Sequence, residues 1–273
     1  MRSLGLSLGR GGDAAAPGPA AEPATSQQPV AAATALTWRP LDGTSAPGGA
    51  AAARGPSARH GHSVTALPGG RLAVVGGVCS HEGEGALRDV HLLHTATMEW
   101  QAAPDCPVGV AFHTATFVPQ STDGKGRIAG GDGQLVVLGG QEAAKPRSML
   151  SCTALHTQPP CSWSQQEAVD QAEHSPEPRH SHTAVLVDGS RIFVCGGCGA
   201  NAAEALDDVW IFHRDTLLWL RAASSGASFP ARAGHSASLL RRQMLVFGGG
   251  AGGAYHNDLW AFDVDHHVWV EVR

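Results

Sequence analysis

The 273-residue chain holds 16% charged and 5% aromatic residues with 35 Gly and 17 Pro, which speaks against long Glu/Lys-rich helices and for strands joined by turns. Its 19 Lys plus Arg against 24 Asp plus Glu leave a formal charge of -5 and no basic field for nucleic acid. No apolar run approaches the roughly 18 residues that would read as a membrane span. Direct nucleic-acid binding and membrane insertion are therefore not expected.

In chain order, residues 1–36 are an Ala/Gly/Pro-rich stretch with few apolar side chains to bury, and a disordered leader is expected there. Trp38, in ALTWRPL, resembles the last strand of a repeat unit. From about residue 58 the chain repeats itself four times. Each unit opens on His followed by Ser or Thr: His62-Ser63, His113-Thr114, His182-Thr183 and His235-Ser236. An apolar run then ends in Gly-Gly, at Gly77, Gly140, Gly197 and Gly249. A tryptophan follows 20 to 23 positions later: Trp100, Trp163, Trp219 and Trp269. Units one, three and four add an arginine before the histidine (Arg59, Arg179, Arg232) and an aspartate eleven positions before the tryptophan (Asp89, Asp208, Asp258).

Each unit carries four short strands, in the first copy HSVTAL, RLAVVGG, DVHLLH and MEWQA. The second is apolar at nearly every position, as a strand covered on both faces should be. Four such strands form a blade that cannot bury both faces alone, so blades must stack. The expected domains are the leader, 1–36, and a propeller, 37–273, with blades at about 58–104, 110–167, 178–223 and 230–273. Unit two departs from the pattern: Val110 replaces the arginine, Cys152 replaces the aspartate, and 121–132 is an insertion. An irregular second blade is expected from this.

These landmarks resemble the kelch repeat over about residues 58–273. The resemblance implies an all-β, kelch-type β-propeller with four recognisable four-stranded blades. Kelch rings usually close with five to seven, so an incomplete or fragmentary ring is expected: either the chain is a fragment or missing blades come from a partner, and an open arc would self-associate. It also implies a non-catalytic scaffold that presents loops to a protein partner. An alternative is the accessory kelch module of a larger enzyme, because DVHLLHTATMEW and PEPRHSHTAVL resemble strands of wybutosine-type tRNA methyltransferases.

Neither a metal nor a cofactor is expected. The related fold of galactose oxidase builds its copper site from tyrosines, and this chain has one, Tyr255. The pairs His60/His62 and His180/His182 have metal-capable spacing, but His62 and His182 recur in every unit, so they read as structural. Cys195 and Cys198 form a CxxC at a strand end, where redox motifs do not sit. Six scattered cysteines suit a reducing, cytoplasmic compartment. Binding is expected on the face carrying the loops between second and third strands and between blades. There His81, Arg88, Lys145, Arg147, Tyr255 and His256 are the candidate contacts with a partner, since planar and cationic groups dominate binding hot spots.

Overall fold

Alternation of apolar side chains across each strand governs how the blades stack. In the computed structural model, which describes residues 55–79, 85–120, 133–142, 145–169, 175–200 and 204–273, every named regular element is a β-strand. The expected leader and Trp38 lie outside the described residues, as do 121–132.

Blade 1 comprises β1 (Ser63–Leu67), β2 (Arg71–Val75), β3 (Val90–His94) and β4 (Glu99–Ala103). Blade 2 comprises β5 (Thr114–Pro119) and β6 (Gly133–Leu138), a hairpin of β7 (Gln141–Glu142) and β8 (Lys145–Pro146), then β9 (Ser151–His156) and β10 (Ser162–Glu167). Blade 3 is built from β11 (Thr183–Val187), β12 (Arg191–Cys195), β13 (Val209–His213) and β14 (Leu218–Arg221). After β15 (Ser225–Gly226), blade 4 follows with β16 (Ser236–Leu240), β17 (Gln243–Phe247), the hairpin β18 (Gly250–Ala251) and β19 (Ala254–Tyr255), β20 (Leu259–Asp263) and β21 (Val268–Val272). Each blade pairs antiparallel in sequence order, and β15 adds a parallel edge to β21.

Blade 2 is as regular as the others, which corrects the sequence expectation. Its strands β6 and β9 keep the apolar side chains that a doubly covered sheet needs, so losing the Arg at Val110 and the Asp at Cys152, the latter now a ladder position of β9, leaves the pairing intact.

Among the described residues four blades enclose three cores. Ala73 and Val75 of blade 1 pack with Leu135, Val137 and Leu155 of blade 2. The other face of blade 2, through Val136, Leu138 and Ala154, meets Ile192, Val194 and Phe212 of blade 3. Phe193 and Cys195 in turn meet Met244, Val246 and Phe262 of blade 4. Successive residues of each second strand thus serve opposite neighbours, the physical meaning of its continuous hydrophobicity.

The tryptophans complete these cores. Trp219 is fully buried against Phe212, ring centroids 4.9 Å apart, and Trp269 stacks on Phe229 at 4.0 Å. The half-buried Trp163 donates its indole N–H to the Pro104 carbonyl at 2.8 Å. Inner strands contact in series, β1 to β5 to β11 to β16. No comparable contact joins β16 to β1 among the described residues, in keeping with the expected open ring.

Candidate partner-binding face

Under the loop face lies a set of buried ion pairs. Arg179 donates two hydrogen bonds to the carboxylate of Asp208, at 2.6 and 2.9 Å, and a third to the carbonyl of Gly196 at 3.1 Å. Arg232 does the same with Asp258 and Gly248, and Arg59 with Asp89 and Gly76. The carboxylate's remaining acceptor capacity takes the indole N–H of Trp210 or Trp260, both at 2.7 Å, and in blade 1 the ring of His91 at 2.8 Å. A fork-to-fork pair of this kind fixes geometry as well as charge. Burial pushes the Asp208 carboxyl up, but the bonds from Arg179 outweigh it and hold the group below its ordinary range. The Arg232 hydrogen bonds likewise depress Asp258.

Sequence reasoning recognised these arginines and aspartates as landmarks without pairing them. The signal was present: unit two lacks both at once, and a partnered pair is expected to disappear together. In blade 2 the arginine's bond to the glycine carbonyl is replaced from elsewhere, since Arg147 reaches the Gly139 carbonyl at 3.4 Å.

The repeated histidines bind one blade to the next. His113, His182 and His235 share hydrogen bonds of 2.8 to 3.0 Å with Ser63, Thr114 and Thr183 of the preceding blade. Burial pushes the imidazoles of His113 and His235 down to about 3 and about 4, so these rings are neutral near pH 7. The CxxC cysteines are separated by the strand end: Cys195 is fully buried in the blade 3–4 core, while Cys198 bridges His180 and Ala205. Burial raises both thiols.

Above this layer the predicted contact residues divide. Tyr255 is 93% exposed at the end of the β18–β19 hairpin, whose turn uses Gly252 and Gly253 at positive φ. Lys145 is exposed on the β7–β8 hairpin. Both segments were read from sequence as loops, because two-residue strands carry no periodicity. Arg88 is exposed, but its Nε donates to the Cys106 carbonyl at 2.8 Å. Arg147 is half-buried through its glycine contact, and His256 is half-buried with Nε2 lacking a partner among the described residues. His81 lies outside the described residues. Beside Tyr255 a cavity of about 250 Å³ is lined by Cys198, Ala205, Ala233, Gly250 and Ala254. Small side chains and a neighbouring aromatic suit it to a partner's apolar group.

The sequence is similar to those of known proteins. The chain is 26% identical over 214 residues to the Rab9 effector protein with kelch motifs of Xenopus laevis, covering 76% of this chain and 53% of that protein. The Homo sapiens counterpart is 26% identical over 212 residues, 75% of this chain and 52% of that protein. The chain thus spans about half the length of these curated relatives. A shorter likeness, 39% identity over 75 residues, links it to the tRNA wybutosine-synthesizing protein 2/3/4 of Oryza sativa subsp. japonica, covering 28% of this chain and 7% of that protein. Residues 127–273 match the family model described as the KLHDC2/KLHL20/DRC7 Kelch-repeats domain, and with its repeated Arg–Asp pairs, blade-linking histidines and Gly-Gly strand ends the chain belongs to this kelch-repeat family.

Proposed function

We propose that this chain is a non-catalytic kelch scaffold that holds a protein partner on the face carrying the β7–β8 and β18–β19 hairpins. One observation carries the reading: Tyr255, 93% exposed, stands beside a cavity lined by small residues, above blades locked by buried Arg–Asp pairs. An exposed aromatic beside a recess on a rigid base is the arrangement from which binding hot spots are made. The non-enzymatic reading is supported by the repeated histidines, which are occupied in joining blades. The six cysteines, scattered through a long chain, are the ground on which we place it in a reducing, cytoplasmic setting.

The relatives named as Rab9 effectors make a Rab-type GTPase the first partner to test. Immobilised chain should retain GTP-loaded Rab9 in preference to the GDP form. Tyr255→Ala combined with Lys145→Glu should abolish retention while the melting temperature stays within a degree or two of wild type. Retention unaffected by the double substitution would overturn this placement of the binding face.

A further inference from the structure

In every blade the residue two places before the repeated histidine pairs with the residue after the second glycine. These bridges join His60 to Val78, Ala111 to Gln141, His180 to Cys198 and Ala233 to Gly250. Each is closed by two backbone bonds of 2.8 to 3.2 Å. The following residue, Gly61, Phe112, Ser181 or Gly234, has positive φ. Backbone bonds of 2.7 to 2.9 Å link these in turn, from Phe112 N–H to the Gly61 carbonyl, Ser181 to Phe112 and Gly234 to Ser181. At His60, Ala111, Phe112, His180 and Ser181 both backbone groups are therefore occupied, and a ligand cannot add there as a strand.

What this rim of the loop face offers is rings. The His60 ring stands edge-on to Phe112 with centroids 5.7 Å apart, and Phe112 meets His180 at 6.3 Å. Three successive blades thus contribute one row. His60 is exposed, while Phe112 and His180 are half-buried. Among the described residues the His60 ring has no hydrogen-bond partner, and His180 engages only Nδ1, with the Ser181 hydroxyl at 3.0 Å. Burial lowers the His180 imidazole, which is neutral near pH 7. In blade 4 Ala233 takes the place of the histidines and lines the recess beside Tyr255 together with Cys198, the bridge partner of His180.

Phe112 is the bulky member of its set, with φ 53° where blades 1 and 4 use glycine. A β-carbon makes this left-handed conformation costly. Strain retained under a half-exposed ring marks a position held for the ring and not for the turn.

We propose that the His60–Phe112–His180 row docks a proline-rich segment of a protein partner in the polyproline II conformation. Three observations select this occupant. Such a segment rises about 3.1 Å per residue, so two residues span each step between rings. Proline has no N–H and presents only carbonyls, which ring N–H groups of His60 and His180 Nε2 can meet. With the rim backbone occupied, recognition falls to the rings, as in other aromatic-lined grooves that take such segments. The proposal goes beyond the function stated above, whose partner is held at the hairpins.

Fluorescein-labelled decaproline should bind the full chain in a polarisation assay, and an equally labelled Gly/Ser decapeptide should not. Phe112→Gly gives blade 2 the residue that blades 1 and 4 use. Its melting temperature should stay within a degree or two of wild type while decaproline affinity falls by roughly tenfold or more. Phe112→Tyr keeps the ring and should keep the affinity. His60→Ala with His180→Ala tests the row without touching the Phe112 turn and should weaken binding as Phe112→Gly does. Decaproline bound no better than the Gly/Ser peptide, or bound equally by wild type and both ring-removing variants, would overturn the proposal and leave the hairpin face standing. Loss of GTPase retention in Tyr255→Ala with Lys145→Glu, with decaproline binding intact, would count for both.

Discussion

The Arg179–Asp208 pair shows what a repeated charge contributes. Arg179 is fully buried and Asp208 12% exposed, so removing one partner strands a charge that water reaches poorly or not at all. Arg179→Val alone, or Asp208→Cys alone, should cost about 3 to 5 kcal/mol. Changing both reproduces the residues that blade 2 carries naturally, Val110 and Cys152, and should cost clearly less than the sum of the singles. Additive costs in denaturant unfolding would show that the pair is not coupled. The histidines act in a different pH range. His113 and His235 titrate in the folded chain at about 3 and about 4, below the ordinary value of 6.5, chiefly because they are buried. Between those limits the unfolded chain takes up protons that the folded chain refuses, so stability is full above pH 6.5 and falls as pH drops toward 4. The aspartate pairs, whose carboxyls are depressed below 3.8, are lost only at lower pH. Melting temperature should therefore decline from pH 6.5 to 4, with a shallower slope in His235→Gln; a wild-type profile flat across that range would refute the assignment.

At the scale of the strand, most of the architecture was legible in the sequence because the second strands serve two cores. The run RIFVCGG announces a doubly covered strand, and Ile192 and Phe193 do face opposite neighbours. The Gly-Gly ends allow a close approach, and at Gly76, Gly139 and Gly196 the approaching atom is a carbonyl oxygen of the next blade. What escaped was whatever has no repeat. The β7–β8 and β18–β19 hairpins are too short for a periodic signal, and Arg147 follows its Gly pair where Arg59, Arg179 and Arg232 precede theirs. Of the predicted contacts, Tyr255 and Lys145 project freely, while Arg147 and Arg88 are engaged by carbonyls that no spacing rule reveals. Position in the series also makes identical glycines unequal. Gly196 and Gly248 both have positive φ, so alanine strains the backbone at either. Only at Gly196 would the methyl carbon also lie 2.7 Å from the Arg232 oxygen. Gly196→Ala should lower the melting temperature markedly more than Gly248→Ala; equal losses would mean that Gly248 is covered as Gly196 is.

Across the whole molecule, two surfaces with different chemistry are exposed among the described residues, and they should fail independently. The hairpin face is polar and aromatic, standing on loops outside the cores, so charge reversal there acts on association with a partner and not on folding. The row of His60, Phe112 and His180 is a set of planar side chains on a rim whose backbone is occupied, and its substitutions act on a linear ligand. If the same chain uses both, Tyr255→Ala with Lys145→Glu should leave decaproline binding unchanged while abolishing partner capture. Conversely, Phe112→Gly should yield a folded chain that still captures the partner at the hairpins, with affinity near wild type, and no longer holds decaproline. The decisive measurement is partner binding by the Phe112→Gly chain, read by calorimetry as stoichiometry per chain. A stoichiometry near one with unchanged affinity keeps the two surfaces separate. Complete loss of binding in a folded Phe112→Gly chain would place the partner across the ring row and away from the Tyr255 cavity.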